Sequence, residues 1–112
     1  MTRAVVKESA CAGPEKVAEA RVWVGFLAAA HADPDLAELH RTHNRAFLRR
    51  VRALVAACRP GWDDDRLAGA ARALVALVEG LNTLATVDPE SYPAHAQLAA
   101  IDAAMDAALR ET

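Results

Sequence analysis

Five side chains in the amino-terminal half of this sequence are of types and spacings that could hold a small molecule. His40, His43 and Phe47 recur at three- and four-residue steps, and Trp23 and Phe26 precede them. Aromatic rings with two imidazoles make an apolar pocket with polar anchors, the usual make-up of a ligand site. Rings also attract a quaternary ammonium, so a small apolar or cationic ligand suits this set. The alternative is ordinary core, with the imidazoles bonded to carbonyls or to water. His31, His40, His43 and Cys58 are zinc-compatible types, and a His pair at i, i+3 can chelate from one helix face. Cys58 lies about four turns beyond His43, too far to complete the same tetrahedron, so no metal or other cofactor is expected. Catalytic apparatus is missing too. Ser9 and Ser91 are the only serines, there is no glycine-rich phosphate loop, and Asp102 and Asp106 form an i, i+4 pair on the wet edge of a helix. The chain is not expected to be an enzyme.

The elements that must position these residues are helices. Alanine makes up about a quarter of the 112 residues, and only 4% are aromatic. Period-two alternation is absent, while apolar residues recur at three and four residue steps from about Pro14 to Leu109. Breakers at Gly13-Pro14, Asp33-Pro34, Pro60-Gly61 and Asp88-Pro89 with Tyr92-Pro93 divide the chain. This predicts four helices, over about 15–32, 34–59, 63–87 and 93–110, behind a loose segment 1–13. The fold class is all-α, an antiparallel bundle in one domain of residues 14–112.

Each helix carries a readable pattern. In the second, Asp33 is placed to cap and Pro34 to open the helix. Leu36, His40, His43, Phe47, Val51, Leu54 and Cys58 then fall within a sector of about 80°. Arg41, Arg45, Arg49, Arg52 and Arg59 line the opposite side, with no acidic residue between Leu39 and Trp62. Aromatic interleaving is absent and the net charge is -2, so the stripe reads as a solvated or partner-facing surface rather than a phosphate binder.

The third helix opens on Asp63, Asp64 and Asp65, which complement its dipole. It presents a large-residue face that includes Leu77, Leu81 and Leu84 beside a narrow strip of Gly69, Ala73, Ala76 and Gly80. The fourth repeats this arrangement, with Leu98, Ile101 and Met105 on one side and Ala96, Ala100, Ala103 and Ala107 on the other. Two apolar faces on terminal helices predict packing against a second copy, a homodimer through these fourteen residues. The alternative is that alanine merely fills helical surface.

Two cysteines make no disulfide framework, which suits a reducing cytoplasm. The longest apolar run, Val22 to Ala30, is about half a membrane span, and Met1 to Ala12 has no signal-type apolar region. A soluble cytoplasmic protein with no membrane contact is expected. Eleven arginines against two lysines is what GC-rich codons give, so the bias carries no functional weight.

Val22-Trp23-Val24-Gly25-Phe26 with Ala28 to Ala30, then Asp33-Pro34-Asp35-Leu36, Leu39-His40 and Phe47, resemble the TetR family of transcriptional repressors, most of all its BetI-like branch. Ala73 to Leu81, Leu84 and Asp88-Pro89 are similar to that family's penultimate helix. The resemblance covers about residues 15 to 110. It implies a C-terminal regulatory domain whose last two helices pair with a partner's as a four-helix bundle, while earlier helices enclose an effector. Family members begin with a three-helix DNA-binding unit containing a helix-turn-helix, and nothing before Gly13 could form one. Direct nucleic acid contact by this chain is therefore not expected. The rival expectation is an interaction module that dimerises with a full-length regulator and needs no ligand.

Overall fold

The computed structural model describes residues 21–110 other than 23, 27 and 31. Trp23, His31 and the segment 1–13 lie outside the described residues. Helix α1 is formed by the described residues between 21 and 30, followed by α2 (Pro34–Cys58), α3 (Asp64–Val87) and α4 (Ala94–Ala108). Among the described residues there is no strand.

Local chemistry explains where the helices begin. The Asp33 carboxylate accepts from the Asp35 backbone N–H at 2.9 Å, and Pro34 opens α2 with φ already set. Asp63 accepts from the Arg66 N–H at 2.8 Å, with Asp64 and Asp65 in the first turn of α3. α4 starts at Pro93 without a side-chain cap. Instead Gln97, buried inside the bundle, donates from Nε2 to the Tyr92 carbonyl at 2.8 Å and ties the α3–α4 connection to its helix.

The far end of α4 is closed from a distance. Its last turn holds no basic residue, yet a helix C-terminus leaves carbonyls that favour cations. Arg59 donates from Nε to the Leu109 carbonyl at 2.9 Å, and Arg66 donates to the Arg110 carbonyl at 2.7 Å. Arg66 also lies 3.8 Å from the Trp62 ring centroid, an arrangement that favours a guanidinium over the ring face. The end of α2, the start of α3 and the end of α4 are thus pinned together. With short connections on both sides of α3, consecutive helices run antiparallel.

α3 is the central helix, packed against α2 on one side and α4 on the other. Leu67, Ala71, Leu74, Val75, Val78 and Leu81 of α3 meet Val51 and Val55 of α2 and Ile101 and Met105 of α4 in one apolar cluster. Burying a side chain of the Leu or Ile class contributes about 1.5–3 kcal/mol, so these few residues hold the bundle. Asp64–Val87 is long and apolar enough to cross a membrane, a property it shares with core helices of soluble proteins.

The core face of α2 differs from the predicted stripe. Only Val51 of that stripe is buried, and the second buried residue, Val55, lies roughly 80° round the helix from Phe47 at 100° per residue. Phe47 is half-buried at the edge of the core, and His43 is exposed. The reason is tertiary. α3 approaches α2 along the Val51–Val55 side, as the Arg52 to Asp64 ion pair at 2.8 Å also shows.

Candidate functional site

The His and aromatic residues singled out in the sequence fall into two adjoining pieces. Where α1 meets α2, the Phe26 ring lies 6.4 Å from the His40 imidazole, tilted by 31°, within the range of an aromatic pair. One turn further along α2, His43, Ala46, Phe47 and Arg50 line an open hollow of about 340 Å³. Their i, i+3, i+4, i+7 spacing puts all four on one helix face. Of the five expected residues, Phe26 meets His40, His43 shares the hollow with Phe47, and Trp23 lies outside the described residues.

Arg50 is the residue that sequence reading passed over. It belongs to neither the arginine stripe nor the His-aromatic stripe. Its spacing from His43 and Phe47 was the available signal. The hollow therefore combines one aromatic ring, one imidazole and one guanidinium, and none of its described lining residues is acidic. Such a set can receive an apolar body and donate hydrogen bonds to a polar head. Among the described residues no three His, Cys, Asp or Glu side chains converge as metal ligands would.

The arginine stripe on the other side of α2 is not a uniform solvated face. Arg41 donates from Nε to Glu38 at 3.1 Å. That hydrogen bond, then the Arg41 charge, and lastly the Arg45 charge, hold the Glu38 carboxyl below its ordinary value. Arg52 pairs with Asp64, and half-buried Arg59 bonds the Leu109 and Cys58 carbonyls. Arg41, Arg45 and Arg49 remain exposed, and among the described residues none of them bonds to another helix. The acids were hidden in the sequence because Glu38 and Asp64 stand just outside the acid-free stretch.

The second candidate surface is the outer face of α3 and α4. Gly69, Ala73 and Ala76 are exposed, Gly80 and Leu77 half-buried, and Leu84 remains 45% exposed. A Cβ added at Gly69 or Gly80 would meet nothing within 4 Å. On α4, Ala103 and Ala107 are exposed, and Ala96, Leu98 and Ala100 half-buried. Three residues expected on this surface belong elsewhere. Leu81, Ile101 and Met105 are 5%, 0% and 0% exposed, so the single chain already uses them as core. Periodicity had placed them on an apolar face without saying which apolar face the chain covers itself.

The chain is thus an all-α bundle with a hollow on one helix and a small-residue face, exposed or half-buried, on its last two helices. Residues 1–110 match the family model described as BetI-type transcriptional repressor, C-terminal. The chain belongs to that family, within the TetR-type regulators, which typically dimerise. The match takes in residues 1–13, set apart above as a loose segment. No curated protein and no solved structure matches the chain.

Proposed function

We propose that this chain is the effector-binding and dimerisation domain of a cytoplasmic transcriptional regulator. Two copies join through the outer faces of α3 and α4, and a small effector with an apolar body occupies the hollow on α2 beside His43 and Phe47. Occupancy shifts α1 and α2 relative to the paired helices, and the shift acts as a coupling free energy on whatever the dimer controls. Phe26 and His40 stand where α1 would feel that change. Reading DNA is left to a separate unit, because the outer arginines of α2 are largely engaged within the chain.

One observation carries the dimer part of this reading. Gly69 and Gly80 sit inside α3 with open space beside them. A glycine inside a helix costs roughly 0.5–1 kcal/mol relative to alanine, and among the described residues nothing packs against either glycine to repay that cost. Close approach of a helix from a second copy does, and Leu84 and Val87, 45% and 77% exposed, extend the same apolar face.

Native mass spectrometry of gently purified protein tests both parts at once. A dimer carrying additional mass is the expected spectrum. A bare dimer would remove the effector and leave the pure interaction module. A bare monomer would overturn the interface.

A further inference from the structure

The geometry points to a carboxylate-bearing amphiphile as the ligand class of the α2 hollow, with Arg50 as the residue that binds its head. This rests on the effector reading above and reverses the cationic ligand that the aromatic residues alone suggest. Four observations lead to it. Arg50 lines the hollow together with His43, Ala46 and Phe47. None of the other three described lining residues is an acid, so a cation entering there meets like charge with no compensating carboxylate among them. Arg41 and Arg52 are held by Glu38 and Asp64, whereas Arg50 has no acidic partner among the described residues. Phe47 is half-buried and packs against the core, so its ring offers the hollow an apolar wall.

A guanidinium presents parallel donors that match a carboxylate bidentately. The apolar part of the ligand lies along Phe47 and Ala46, and His43 lies about two turns before Arg50, at the other end of the hollow. A cation cage would instead need several rings and no guanidinium.

Calorimetric titration of the intact protein with decanoate, decyltrimethylammonium and decanol separates the possibilities. Decanoate is expected to bind most tightly, and Arg50→Gln to weaken it about fivefold to tenfold, the scale of one charge-assisted contact in an open site. Arg49→Gln, on the outer face of the same helix, is expected to leave decanoate affinity unchanged. Tighter binding of decyltrimethylammonium, or decanoate binding that Arg50→Gln does not weaken, overturns the carboxylate assignment while the effector reading stands. No heat with any of the three overturns the assignment and removes the hollow as the effector site.

Discussion

The two ends of the helical bundle leave apolar surface uncovered in different ways. Along α3 and α4 the inward faces are complete, with Leu74 at 1% and Ile101 and Met105 at 0% exposure. What stays outside there is small and flat: Gly69, Ala73, Ala76, Ala103 and Ala107. Along α2, no residue from Pro34 to Arg50 is buried, although the same helix then buries Val51 and Val55. The uncovered side chains of that stretch are large and mixed, a phenyl ring with imidazoles and a guanidinium. A flat alanine and glycine surface offers little grip to a small molecule but lets another helix come close. A ring beside a hollow with nitrogen donors suits a ligand better than a packed helix. Under the proposed function, side-chain size, more than exposure, divides the surface into one part for a partner and one part for an effector.

The largest way to break this division is Ala73→Glu. Ala73 is exposed in the single chain, so the chain itself should keep its helix content by circular dichroism. In a close helix pair the carboxylate would lose its water without a counter-charge, which costs several kcal/mol, on the order of a thousandfold in dissociation constant. Light scattering is expected to show monomer where the parent is a dimer. An unchanged dimer would move the interface off this face.

Comparing Leu74→Ala with Leu84→Ala sharpens the same contrast on one helix. Removing the buried Leu74 side chain is expected to cost about 3 kcal/mol through lost transfer energy and a residual cavity. Leu84, 45% exposed, is expected to cost under about 1 kcal/mol in the unfolding of the single chain, its loss appearing instead as weaker association. Urea unfolding at low protein concentration measures the first, and concentration-dependent melting the second. Equal losses in the chain's own stability would erase the distinction between the two faces of α3.

The α4 terminus gives a smaller effect. Arg59→Ala removes the donor to the Leu109 carbonyl, and a half-buried charge-assisted bond of this kind is worth about 1–2 kcal/mol. Hydrogen exchange is expected to speed up first at the end of α4. If exchange rises equally everywhere, Arg59 acts on the whole core instead of pinning that end.

How much of this was legible in the sequence follows from the range of each interaction. Helix starts at Asp33-Pro34 and Asp63 could be read to within about a residue, because capping acts over three residues. The strip of Gly69, Ala73, Ala76 and Gly80 stood out by period alone, and its members are exposed or half-buried. Alanine defeats further sorting. Ala71 is fully buried while Ala73 is exposed, yet the two side chains are identical and only the placement of neighbouring helices separates them. The same limit turned the core face of α2 toward Val55 and left Phe47 at its edge. Arg59 and Arg66 reach carbonyls 50 and 44 residues away, and no local pattern announces such a contact. Arg50 could have been found by its spacing, but it was overlooked beside the more regular stripe across the helix.

The smallest predicted effect concerns the outer face of α2. Glu38 titrates below the ordinary carboxylate range because Arg41 donates a hydrogen bond to it and adds positive charge, with a smaller contribution from Arg45. A folded carboxyl held below its unfolded value favours folding above the unfolded value, and that preference is lost as pH falls through the folded one. Arg41→Gln is therefore expected to raise the Glu38 midpoint toward its ordinary value in a carbon-detected NMR titration. Stability at neutral pH should hardly move, because the pair lies on one turn of an exposed face and is screened by solvent. A midpoint that stays low in Arg41→Gln would assign the shift to Arg45 and would make the arginine stripe a continuous field. The structure's division of that stripe into separately engaged side chains requires the midpoint to rise.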